Sequence, residues 1–143
     1  MPHYICGFHQ PGMEFLSNFY PCDIWMDGVK YPSVEHAFQA AKTLDPDERR
    51  NVASQPTPGK AKAAGRKVSL RPDWDGIKIS VMRDLVSQKF LGLIGPSQLL
   101  YRLQETGESV LIEGNNWGDT FWGVDGHGFN HLGEILMDIR DGR

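Results

Sequence analysis

Glycines, prolines and capping residues recur so closely in this 143-residue chain that only one long element is open to it. Proline and glycine interrupt regular structure, and the chain carries nine and 16 of them. Asp27-Gly28 marks a hairpin between Cys22–Met26 and Val29–Tyr31. Ser33 is placed to cap a helix through "PSVEHAFQAAKTL", with Val34, Ala37, Phe38, Ala41 and Leu44 as its apolar stripe. Asp45 caps the next helix, with Pro46 in its first position and Glu48 at capping-box spacing. Thr57-Pro58 opens a third in the same way. The longest helix is expected from Asp73 to about Gly92, with Ile77, Val81, Met82, Leu85 and Phe90 inward. "GPSQLLYRLQETG" reads as a helix ended by Gly107, and "SVLIEG" as a short strand. "NHLGEILMDIRDG" reads as a helix capped by Asn130 that buries Leu132, Ile135, Leu136 and Ile139. The pattern predicts an α+β fold: a single compact, helix-rich domain over residues 1–143 with a few short strands.

Several function classes are disfavoured at once. The net charge of −3 and the lack of a basic face argue against sequence-independent phosphate binding. No apolar run reaches the roughly 20 residues of a membrane helix. "MPHYICGFHQ" has no basic n-region ahead of an apolar stretch, so no signal peptide is expected. Cys6 and Cys22 are too few for a disulfide framework and read as free thiols in a reducing cytoplasm. His127 and His131 have a spacing that metals use, but one His pair alone is a poor zinc signal. Walker, GxGxxG and GxSxG motifs are absent. Neither a metal nor a cofactor is expected, and nothing in the sequence sets an oligomeric state.

Two stretches carry candidate chemistry. In the helix after Ser33, Glu35, Gln39 and Lys42 fall at i, i+4 and i+7 on a face apart from the apolar stripe. Glu35 lies in the first turn, where the helix dipole favours a carboxylate, and Lys42 roughly 10 Å further along. The bland alternative is a solvated face. The second stretch, "EGNNWGDTFWG", is too rich in aromatics for a linker and too irregular for a strand. Trp117 and Trp122 suit stacking on a planar base, or else plug the core. Asp119 reads as an acid/base or a ligand for sugar hydroxyls, or as a turn former. Gly118 permits a sharp turn, and Asn115 and Asn116 either read polar edges or tolerate the turn. This loop is expected to form one wall of a site for a ribosylated, nucleobase-like molecule. Trp74, between Asp73 and Asp75, is a further aromatic candidate, and Lys62 with Arg66 at i, i+4 a phosphate clamp.

"FLSNFYP", "YPSVEHAFQAAK", "AKAAGR" and "LIEGNNWGDTFWGV" with "NHLGEILMDIR", in this order, closely resemble the NADAR (YbiA-like) family from about Phe15 to Arg140. The resemblance implies a compact helix-rich α+β fold and an N-glycosidase that cleaves ribose from an exocyclic amine. Implied substrates are ribosylamino-pyrimidine phosphates of riboflavin biosynthesis, or guanine carrying ADP-ribose, free or in nucleic acid. Family motifs fall on Glu35, Lys42, Trp74, Trp117, Asp119 and Trp122, and "FLSNFYP" adds Asn18 and Phe19 as substrate-binding residues. Glu35, Asp119 and Lys42 are then the catalytic set. Lys42, with Lys62 in reserve, would form a Schiff base with the sugar; otherwise a carboxylate activates water. The rival reading is a non-catalytic module that binds ADP-ribose or a nucleotide.

Overall fold

The computed structural model describes residues 3–143. Its elements are β1 (Tyr4–Cys6), β2 (Ile24–Met26), β3 (Val29–Tyr31), α1 (Val34–Ala41), α2 (Pro46–Ala53), α3 (Pro58–Gly65), α4 (Trp74–Leu91), α5 (Gln98–Glu105), β4 (Val110–Ile112) and α6 (His131–Asp141). A 3₁₀ turn covers Glu14–Leu16. The chain is α+β and helix-rich, as the sequence predicts. It divides into two compact units, one of Asn18–Lys89, the other of the described residues up to Ser17 together with Phe90–Arg143. No described helix is long and apolar enough to cross a membrane.

The Asn18–Lys89 unit is built around α1. Asp27 and Gly28 both have positive φ, which closes β2 on β3 in the tight turn that a right-twisted hairpin requires. Gln88 then clamps β2, accepting from the Trp25 N–H at 2.6 Å and donating to its carbonyl at 2.8 Å. Ser33 Oγ caps α1 through the His36 N–H. The hairpin, α2 and α3 all pack on α1, and every residue from Val34 to Ala41 is buried. The expected polar face of α1 is therefore not solvated: neighbours on all sides enclose it. Nor does α1 reach Leu44. It stops at Ala41, the Arg71 N–H takes the Lys42 carbonyl at 2.8 Å, and Leu44 lies outside the helix with 62% of its surface exposed.

The capping box at α2 also differs in detail. Asp45 accepts from the N–H groups of Asp47 and Glu48, as expected. The return contact to the Asp45 N–H comes from Thr43 Oγ1 (3.1 Å), which donates in turn to Glu48 (2.6 Å). Glu48 is drawn away to the Ser69 N–H. Within α4, Met82 and Leu85 are buried as expected, Ile77 and Val81 only partly, and Val86 joins the core. So does Lys89, with Nζ 5.6 Å from the centre of the Tyr20 ring. Burial pushes its amine down to about 8, against a smaller upward pull from Cys22. Burial likewise pushes the Cys22 thiol up, with Lys89 and the Val34 backbone opposing it.

The other unit pairs β1 with β4 in parallel, Ile5 opposite Leu111. The sequence gives no sign of β1, which is three residues long and largely exposed. Helix α6 packs on β4 and α5, burying Leu103, Leu111, Leu132, Ile135 and Leu136; Ile139 is only partly covered. Asn130 does not cap α6 with its side chain. Held at φ 56°, it turns that amide onto β4, accepting from the Glu113 N–H and donating to the Leu111 carbonyl, both at 2.9 Å. One side chain thus satisfies the Leu111 carbonyl and the Glu113 N–H, while the Leu111 N–H goes to Met137 Sδ at 3.5 Å. Gly133 leaves room for the Asn130 amide: a Cβ there would collide with it and with the Leu111 carbonyl.

Two stability predictions follow from these contacts. Asn130→Ala loses both bonds and strains a left-handed backbone, so urea unfolding should show a loss of about 2–4 kcal/mol; a loss below about 1 kcal/mol would mean water replaces the amide. Lys89 binds its proton less tightly folded than unfolded, so it destabilises the fold at neutral pH. That penalty fades as pH rises from about 8 towards 10.5. Cys22 acts oppositely above its ordinary 9.0, which leaves pH 8–9 as the clear window. Lys89→Met should stabilise the protein at pH 7, by at most about 3 kcal/mol, and should flatten the rise of stability across that window. An unchanged slope would remove Lys89 as its source.

Candidate functional site

Three residues one to two turns apart form a polar row along α1. Glu35 enters in the first turn, its N–H held by the Asn18 carbonyl at 3.1 Å. Its side chain is buried (8% exposed), and Gln39 Nε2 donates to Glu35 Oε1 at 2.8 Å. This i, i+4 bond is what helix geometry offers a Glu–Gln pair. Gln39 is itself 4% exposed, and its Oε1 lacks a hydrogen-bond partner among the described residues. Lys42 ends the row as the C-cap of α1. Burial pushes its amine below the ordinary lysine range; the Glu35 carboxylate pulls the other way, and Arg66 and Lys62 add to the downward push.

Lys62 and Arg66 arrive from α3, which packs along α1. Lys62 is in its last turn and Arg66 is its C-cap. The five residues Glu35, Gln39, Lys42, Lys62 and Arg66 thus form one electrostatic group, with one carboxylate among three cations. Such a group attracts an anionic ligand. It also holds a carboxylate in fixed register with an amine that gives up its proton more readily than usual, the combination that general acid/base and amine chemistry need.

The other candidates of this unit differ in kind. Asn18 is buried, with its amide on Met82 Sδ at 3.4 Å. Phe19 is exposed. Trp74, at 6% exposure, packs on the Phe38 ring at 5.0 Å, so its indole supports α1 from the core. Asp73 pairs with Arg71 at 2.7 Å. His36 went unnoticed in the sequence. Its buried ring bridges Ser33 Oγ (2.7 Å) and the Gln55 carbonyl (3.0 Å), and the Ser33-x-x-His36 spacing is the one cue for it.

The loop residues Asn115, Trp117, Gly118, Asp119 and Trp122 belong to the other unit. Much of their polarity serves the loop itself. Asn115 Oδ1 accepts from the N–H groups of Trp117 and Asp119, and Nδ2 donates to the Asp119 carbonyl. Asp119 Oδ1 accepts from the N–H groups of Phe121 (3.1 Å) and Trp122 (3.0 Å). Gly118 has φ +83°, and its N–H reaches Asp125. Trp122 packs edge-on to Phe121 at 4.8 Å and lies 6.2 Å from the ring of His131. Trp117 is 50% exposed and touches the His9 ring edge-on at 5.5 Å. Of the two tryptophans, Trp117 keeps the more open ring.

A model described as the NADAR domain matches residues 7–142, through both units. The N-glycosidase YbiA of Escherichia coli (strain K12) is 36% identical over 143 residues, covering 96% of this chain and 87% of that protein. The NMR structure of E. coli YbiA matches with a TM-score of 0.83 and 32% identity, covering 99% of this chain and 86% of that one. A riboflavin biosynthesis protein of Vibrio vulnificus (strain YJ016) is 39% identical over 140 residues, covering 94% of this chain but only 37% of that longer protein. With the fold shared and the match running nearly end to end, this chain belongs to the NADAR domain family.

Proposed function

We propose that this chain is an N-glycosidase that hydrolyses the bond between a ribose anomeric carbon and an exocyclic amine of a nucleobase-like ring. The observation that carries the reading is the buried Glu35 carboxylate, gripped by Gln39, on the same helix face as a lysine whose amine burial has lowered. An N-ribosylamine opens readily to an imine. Glu35 protonates the leaving amine. The Lys42 amine adds to the anomeric carbon as the ring-borne amine departs, and water then hydrolyses the lysine imine and frees the sugar. The lowered Lys42 favours this route over direct attack by water, in which Glu35 would instead act on the water. Lys62 and Arg66 suit a phosphate on the sugar.

The names of the relatives favour a ribosylamino-pyrimidine phosphate as substrate, met in the cytoplasm, where two free thiols are stable. Guanine bearing ADP-ribose on its exocyclic nitrogen presents the same bond. Incubation with each of the two, read by mass spectrometry, decides between them; binding without turnover of either would replace the enzyme by a ligand-binding module.

Glu35→Gln keeps the shape of the side chain and an oxygen for Gln39, so the protein should fold while turnover falls by about 10²–10⁴. Wild-type turnover in that variant moves the acid/base role elsewhere. Borohydride added during turnover should trap a sugar-sized adduct on Lys42, and Lys42→Arg should be inactive, since a guanidinium is no nucleophile at neutral pH. An active Lys42→Arg protein with no adduct in wild type leaves direct attack by water. Asp119→Asn retains an oxygen for the two turn bonds, and a large loss of turnover is expected if its carboxylate takes part; full activity would leave Asp119 a turn former.

A further inference from the structure

The geometry points to Gly65 as a positioning residue that fixes the Glu35 carboxylate by way of Gln39. Gly65 is the buried last residue of α3, and its φ is not in the left-handed range, so no turn calls for glycine there. Glycine weakens a helix relative to alanine, and its use here answers to space. A Cβ at this position would lie 2.8 Å from both Cβ and Cδ of Gln39, and nearer still to Oε1. Carbon atoms pack at roughly 3.5–4.0 Å. Because Gln39 Cβ is among the atoms struck, turning the amide would not relieve the clash, and the side chain has little room to leave its buried seat.

The Gln39 amide is therefore wedged. Its carbonyl lies against Gly65 with no hydrogen-bond partner among the described residues, while its NH₂ holds Glu35 at 2.8 Å. A buried carbonyl left unpaired is costly, and an amide free to move would pair it. It stays because Glu35 requires the donor end and Gly65 alone leaves space for the other. Any side chain at 65 shifts Gln39, and the carboxylate loses its fixed place. This inference rests on the acid/base reading of Glu35.

The test is a double-mutant cycle read in kcat and KM, with a crystal structure of Gly65→Ala. Gly65→Ala should lower kcat by about 10- to 100-fold with KM nearly constant, and the Gln39 Nε2–Glu35 Oε1 separation should open beyond hydrogen-bond reach. In a Gln39→Gly background, which removes the Cβ, Cδ and Oε1 that the new methyl would strike, the same change should alter kcat by less than about twofold. Wild-type kcat in Gly65→Ala, an intact Gln39–Glu35 bond in its structure, or an equal loss in both backgrounds overturns the proposal. Should Gly65→Ala fail to fold, the Gln39→Gly/Gly65→Ala protein should fold and match Gln39→Gly; its failure to fold where Gln39→Gly folds would assign Gly65 another role. An active Glu35→Gln protein brings down the site reading and this inference together. An inactive Glu35→Gln beside an unaffected Gly65→Ala brings down this inference alone.

Discussion

Enclosure of α1 is the constraint on which the Asn18–Lys89 unit depends. An eight-residue helix is marginal by itself, and α1 persists because α2, α3 and the β2–β3 hairpin surround it. Ala37, Ala40 and Ala41 let those neighbours close in. The enclosure takes Glu35, His36 and Gln39 out of water along with the apolar stripe. Each then needs a partner. His36 finds Ser33 and the Gln55 carbonyl, and Glu35 finds Gln39. A carboxylate placed this way cannot wander among rotamers as a surface one does, and that fixity is what acid/base chemistry asks of it.

Polar groups buried in the same unit fall into two kinds. Lys89 and Cys22 lie together, each pushed towards its neutral form by burial and each restrained by the other. They act on stability. Lys42 is less enclosed, and two further cations beside it add to the push on its amine. Like charges that gather cost stability unless an anion joins them, and here Glu35 is one carboxylate set against Lys42, Lys62 and Arg66.

The sequence disclosed this unit unevenly. Ser33, Asp45 and Thr57 announced three helices, and each accepts the N–H its position predicts, because a cap is a local device decided within four residues. The Asp27-Gly28 hairpin was legible for the same reason. The spacing of Glu35, Gln39 and Lys42 was legible too, as helix geometry alone sets it. Their burial was not. Whether a polar face meets water depends on elements far along the chain, and a helical wheel carries no trace of them. Asn130 shows the same limit. Its position suggested a cap, but a partner 17 residues away, the Glu113 N–H, claims its side chain. Strand β1 left no signal because three largely exposed residues paired to a distant strand are too few to show a pattern of their own.

Residue types in the 113–123 loop suggest chemistry at Asn115, Asn116 and Asp119 and at both tryptophans, and the hydrogen bonds divide these residues differently. A loop with no ladder must still satisfy its N–H groups. Asn115 and one oxygen of Asp119 do that work for Trp117, Asp119, Phe121 and Trp122. Trp122 closes against Phe121. The more open ring of Trp117, the exposed Asn116 amide and the second oxygen of Asp119 are among the groups these bonds leave over. A loop rich in amides and carboxylates thus overstates its chemistry when counted by residue. Counted by atom, the polar groups that shape it separate from those its own bonds do not use, and only the latter can meet a ligand without unmaking the turn.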